Sequence, residues 1–164
     1  MKQSIVSLFF LALFIFSCSN DKADNQDSIS IIGEWKFKSL DTDGASGNVE
    51  LANDILMVLV AGGCDVLSFD FKTDQTVTSF YRDFTETGKD VNVAGTGLLI
   101  ECPETVSVET TLWELTGNQL SFIQDNGAIK TVTIQIIGST LTIPGEVLDE
   151  NNLAGTKAIF EKQE

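Results

Sequence analysis

Thr105–Ile143 reads TVSVETTLWELTGNQLSFIQDNGAIKTVTIQIIGSTLTI, and its punctuation decides the fold. Gly117-Asn118, Asn126-Gly127 and Gly138-Ser139 cut it into Thr105–Leu115, Gln119–Gln124, Ala128–Ile137 and Thr140–Ile143. Gly and Asn accept the positive φ that tight hairpin turns demand. The four runs are therefore expected as sequential antiparallel strands. Alternation agrees: Val132, Ile134 and Ile136 face one way and Thr131, Thr133 and Gln135 the other, while Leu120 and Phe122 oppose Ser121. A period of two with one apolar face means one buried and one wet side. By the same alternation Asp70 and Glu114 point to solvent.

Working outward, Glu34–Leu40 makes a first strand, and Val66–Lys72 places Leu67, Phe69 and Phe71 on one face. Thr76–Phe84 returns after a turn at Thr73-Asp74-Gln75, and Thr156–Lys162 closes the chain. That makes eight strands, or nine if Val91–Ile100 contributes, with no alternation of strands and helices. A closed or nearly closed antiparallel meander is the expected architecture because it removes the exposed edges of a flat sheet. The apolar stretch Asn48–Ala61 (Leu51, Ile55, Leu56, Val58, Leu59) ends at Gly62-Gly63. Its length and terminal glycines favour a short helix between the first two strands, with a buried strand as the alternative.

Composition narrows the function. A chain of 164 residues, 43% hydrophobic and 21% charged, is a globular domain. Its 24 acidic and 10 basic residues give −14, which excludes a phosphate-backbone binder and argues against electrostatic attachment to anionic lipid, so no nucleic-acid partner is expected. With no His, a Ser-His-Asp, Cys-His or zinc-hydrolase mechanism cannot be drawn. The sequence calls for no cofactor and no metal.

Residues 1–18, MKQSIVSLFFLALFIFSC, carry one early charge at Lys2 and an apolar run from Ile5 to Phe16 broken only by Ser7. The run is shorter than the roughly 20 residues of a membrane-spanning helix and reads as a signal peptide. Ile15-Phe16-Ser17-Cys18 resembles the lipobox of bacterial lipoproteins, although Phe16 stands where a smaller residue is usual. The resemblance implies diacylation of Cys18, which becomes the mature N-terminus. The organisation expected is a signal peptide over 1–17, a lipidated Cys with a polar tether over 18–30, and a barrel over 31–162. Cleavage leaves 24 acidic against 9 basic residues, so attachment must be hydrophobic, through several acyl chains at about 0.8 kcal/mol per buried methylene. The tether Ser19–Ser28, SNDKADNQDS, cannot fold alone. Its acidic residues also resemble surface-export signals. The resemblance implies a place in the bacterial envelope, with the outer membrane, on its periplasmic or surface face, as the expected anchor site.

Gly33-Glu34-Trp35 resembles the G-x-W signature of lipocalins, in which the Trp plugs the closed end of an eight-stranded calyx. Cys64 before a Phe-rich strand, a Thr-rich return strand, Cys102, and then L-W-x-L-x-G-N-x-L-x-F from Leu112 to Phe122 are similar to the lipocalin-like domain of bacterial lipoproteins. Two positions depart from that pattern. Gln75 stands where Gly is more usual, and the Arg that lipocalins commonly stack on the Trp has no counterpart, since Arg82 is the only Arg. Lys162 or Lys157 can take that place, Lys162 being better positioned. The resemblance implies an antiparallel eight-stranded lipocalin-like barrel that binds a small, partly apolar molecule without catalysis. Trp35, Phe69, Phe71, Phe80, Trp113, Phe122 and Ile134 are expected to line or plug its interior. The alternative is an envelope interaction module whose barrel is filled by these aromatics and whose loops, such as Thr85–Gly97, contact a protein or glycan.

With Cys18 lipidated, Cys64 and Cys102 remain as an even pair in an oxidising compartment, and a disulfide is the economical reading. A two-Cys metal site lacks further ligands, and a redox pair lacks the C-x-x-C spacing. Asp41-Thr42-Asp43-Gly44 begins like a calcium loop, but Ala45 and Ala52 fall where ligands are needed. Glu101 with Glu104, or Glu146 with Asp149 and Glu150, offer carboxylate pairs, yet acidic loops are expected at this net charge. An enzyme would need such a pair facing a cleft.

Overall fold

The computed structural model describes residues 30–43, 47–83, 89–91, 98–123, 126–149 and 153–164. The expected signal peptide and lipobox and nearly all of the expected tether lie outside these residues. Among the described residues there are eleven strands: β1 (Gly33–Asp41), β2 (Leu67–Phe71), β3 (Thr76–Arg82), β4 (Lys89–Val91), β5 (Leu98–Ile100), β6 (Val106–Thr116), β7 (Gln119–Ile123), β8 (Ile129–Thr133), β9 (Gln135–Ile137), β10 (Thr140–Pro144) and β11 (Lys157–Lys162). One helix, α1 (Gly47–Ala61), joins β1 to β2. The stretch at 48–61 is thus helical, as its length and closing glycines suggest.

Nine strands form one sheet in the order β8-β7-β6-β3-β2-β1-β11-β10-β9. Its two outermost strands, β8 and β9, are consecutive in the chain, separated by Ile134 alone. The sheet therefore closes into a ring through one bent segment, Ile129–Ile137, whose first half pairs with β7 and second half with β10. Counted by segments, the ring has eight staves, and β4 and β5 form a separate hairpin outside it. The described parts of the segment at 91–100, Val91 and Leu98–Ile100, therefore add no ninth stave.

The first and last strands meet in an antiparallel pairing from Trp35↔Lys162 to Asp41↔Lys157. A bulge between Phe37 and Ser39 shifts the register, and such an extra residue reverses the alternation beyond it. Phe37 and Leu40 are consequently both buried. The core runs around the inside of the ring: Trp35, Phe69, Phe71, Val77, Leu120, Ile134, Leu141, Ile143, Ala158 and Phe160 belong to one cluster.

The two ends of the ring differ. Two-residue turns at Gly117-Asn118 and Gly138-Ser139, the β2–β3 turn, the start of β1 and the end of β11 lie at one end, the base. Gly117 and Gly138 adopt φ of 62° and 58°, as those hairpins require. The longer connections, α1 among them, lie at the other end, the mouth. Between β2 and β3, Asp74 accepts hydrogen bonds from the Thr76 hydroxyl and backbone N–H, which hold its carboxyl below the usual range. The next residue, Gln75, has φ 66°, the one described non-glycine residue with positive φ. A left-handed conformation costs a side-chain-bearing residue about 1–2 kcal/mol. Gln75→Gly is therefore expected to raise stability by about 0.5–1 kcal/mol after the larger chain entropy of glycine is subtracted, measured by urea denaturation. A loss would show that the Gln75 side chain holds the turn.

Candidate functional site: the barrel mouth

At the base, Trp35 is fully buried, and its indole N–H donates to the Ile31 carbonyl at 2.7 Å. The Lys162 ammonium sits 5.2 Å from the ring centre and donates to the Ser30 carbonyl. Lys162 thus occupies the stacking position that the missing Arg leaves open. The first signature residue is explained by the same contact: Gly33 has φ 121°, and a Cβ there would lie 3.1 Å from Lys162 Cε. Above Trp35, Phe69 packs on Phe71 and Phe160 with ring centres 6.0 and 5.2 Å away, and Trp113 meets Phe71 edge-on at 5.4 Å. Together these rings fill the lower half of the barrel.

The inward face changes character toward the mouth. Buried Val77 fixes which residues of β3 point inward: Val77, Ser79 and Tyr81. Their partners on β6 are Thr111, Glu109 and Ser107, below which come Trp113 and Leu115. One wall therefore passes from aromatic to polar. The Tyr81 hydroxyl donates to Glu109 Oε1 at 3.0 Å, and both side chains are solvent-exposed although they face inward. Phe122 and Lys130 continue the same face across β7 and β8. The Lys130 ammonium reaches the Glu146 carbonyl at 3.1 Å, spanning the line where β8 and β10 are not hydrogen-bonded.

Helix α1 packs on the mouth end and sends buried Leu59 into the core, with Ile55, Leu56 and Val60 against it. On the face shared with Val49 and Leu56, Asn53 Oδ1 is buried with no hydrogen-bond partner among the described residues. A disulfide between Cys64 and Cys102 ties the exit of α1 to the segment before β6. Arg82 braces the same junction, donating from Nε to the Asp65 carbonyl at 3.0 Å and from its terminal nitrogen to the Pro103 carbonyl at 2.6 Å.

Of the residues expected inside, Trp35, Phe69 and Phe71 are buried plugs, Ile134 is buried at the bend of the closing segment, and Trp113 and Phe122 are half-buried on the inner wall. Phe80 is a correction. It lies on the outer face, one position out of phase with Val77 and Ser79, opposite Val108, with the Arg82 guanidinium 5.5 Å from its ring. Ser79, Tyr81, Glu109 and Lys130 were missed because each is polar and sits in a run whose apolar residues draw attention. Only the strand register identifies them as inward-facing: with β2 and β6 for Ser79, Tyr81 and Glu109, and through β7 for Lys130.

No three metal-ligating side chains cluster among the described residues. Asp41 is instead paired with Lys157 at 3.0 Å, which lowers its pKa. Two open depressions lie at the base. One of about 740 Å³ is lined by Ser139 and the C-terminal residues 161–164, and one of about 430 Å³ by Ser30–Ile32, Gln75 and Trp113–Leu115.

An eight-stave meander whose first and last strands pair, with α1 over its mouth and a Trp–Lys plug at its base, settles the fold. The barrel is lipocalin-like. No family model and no curated protein matches this sequence. Among solved structures, the lipocalin-like barrel is similar to a lipocalin-like protein from Bacteroides uniformis, at 15% identity over 80% of this chain and 97% of that one, with a TM-score of 0.41. It is also similar to an uncharacterized protein from Bacteroides eggerthii, at 9% identity over 82% of this chain and 100% of that one, with a TM-score of 0.42.

Proposed function

We propose that the protein is a lipid-anchored envelope lipoprotein that binds a small, partly apolar molecule at the barrel mouth without catalysis. The observation that carries this reading is the change of the inner wall from buried Val77 and half-buried Trp113 to solvent-exposed Tyr81 and Glu109. Inward-facing polar groups open to solvent above an aromatic floor match how ligand sites are built: mostly apolar, with a few placed polar groups. Glu109 accepts one hydrogen bond from Tyr81 and has acceptor capacity left. The ligand therefore brings hydrogen-bond donors to an apolar body. No reaction is assigned.

Native mass spectrometry of the full chain in mild detergent, exposed to an envelope extract, tests the site. A discrete added mass is expected, weakened at least tenfold by Ser79→Trp, which would fill the mouth, and by Glu109→Ala, with melting temperature retained. Bare protein in every extract would overturn the reading and favour the interaction module, which the filled lower half of the barrel supports. Anchoring is tested separately. Incorporation of labelled palmitate is expected in the wild type and absent in Cys18→Ser; labelling that survives the substitution, or its absence from the wild type, would sink the lipoprotein assignment.

A further inference from the structure

Strand β6 is eleven residues long, but β7 pairs with only its last four, Trp113 to Thr116. Successive residues of a strand direct their backbone N–H and C=O groups to opposite sides. The Thr105 carbonyl accepts from Asp83, and the Trp113 N–H donates to Gln75. The odd-numbered positions of this stretch therefore face β3, and Val106, Val108 and Thr110 direct their backbone groups away from it. None of those groups has a partner among the described residues. On the outer face the same stretch carries Val106 and Val108, 40% and 61% exposed, next to Leu112 at 50%. Edges of this kind are normally blunted with lysine, proline, a bulge or an inward-pointing charge, and of these Val106–Thr110 carries only the last, Glu109.

We propose that Val106–Thr110 is a docking edge that accepts an extended strand from a partner protein, in which apolar residues alternate with basic ones. The backbone pattern calls for a strand, because only a strand supplies donors and acceptors at alternate residues. Its apolar side chains would lie beside Val106 and Val108 on the outer face. On the other face the neighbours are Ser107 and the carboxylate of Glu109, in a chain whose net charge is −14, so a basic residue is the complement there. The same charge disfavours a second copy of this chain as the occupant.

The probe is a blocked seven-residue peptide alternating lysine and valine, titrated against the full chain in detergent. A control peptide of equal charge is N-methylated at its valines and cannot donate the pairing hydrogen bonds. The proposal expects the control to bind at least tenfold more weakly. It expects the same loss for Val108→Pro, which removes only an outward N–H, and for Val108→Lys, which keeps that N–H but repels the peptide. Circular dichroism should be unchanged in both variants, and the lysine variant carries the test if the proline variant does not fold. Equal binding of both peptides would reduce the effect to charge, and no binding at millimolar peptide would remove the docking edge; either overturns the proposal. A dimer of the peptide-free protein that Val108→Lys dissociates would overturn it in favour of a second copy.

Discussion

Trp35→Ala will lower the stability of the barrel by about 4 kcal/mol, the cost of emptying a fully buried large aromatic site. The indole is completely excluded from solvent, hydrogen-bonded to Ile31, covered by Lys162 and set beside Phe69 in the sheet register. Few neighbours can collapse into the space, because Phe69, Phe71 and Phe160 are held by one another. Lys162→Ala, which removes the cation over the ring but leaves the indole packed, should cost about 1 kcal/mol. Urea unfolding followed by tryptophan fluorescence and circular dichroism measures both. A Trp35→Ala cost under about 1 kcal/mol, well short of the usual range, would mean that the plug does not hold the base closed.

Replacing Cys64 and Cys102 with Ser is expected to cost about 4 kcal/mol in the chain-entropy account, since the bond closes a separation of 38 residues. Cys102 is exposed while Cys64 is buried, so a reductant in solution has a route to the bond. The Arg82 brace grips the carbonyls next to each cysteine and does part of the same task. Arg82→Ala should therefore cost more in the Ser–Ser protein than in the oxidised one, a coupling that a double-mutant cycle reads directly. Strict additivity would show that the brace and the bond hold different structures.

Turn chemistry made most of the barrel legible. Gly117-Asn118 and Gly138-Ser139 mark two-residue hairpins where they stand, and the strand on either side follows from local alternation. The bend at Ile134 was not legible, because Val132, Ile134 and Ile136 keep the period of two straight through it. What separates β8 from β9 is a change of hydrogen-bonding partner, and the Ile134 N–H donates to the Asn118 carbonyl at the changeover. Phe80 was misplaced for a related reason. In Thr76–Arg82 each face carries one aromatic, Phe80 outside and Tyr81 inside, so hydrophobicity alone cannot choose between them. Pairing of Ser79 with Phe69 and of Val77 with Phe71 decides the phase. The polar mouth is hidden in the same way: in β6 the apolar residues switch from even to odd positions between Leu112 and Trp113, and an alternation count reads the switch as noise.

The pairing of β1 with β11 also governs when this protein can fold. Trp35 must wait for Phe160 and Lys162, more than 120 residues later in the chain, so the ring has no complete subset that can close early. Loop closure over such a span is slow to form, because its entropy is lost before the contacts it permits are made. A chain emerging N-terminus first from a ribosome or a membrane channel stays open until its final strand is free. Commitment to the native state comes only once β11 is available, and until then the chain stays slender.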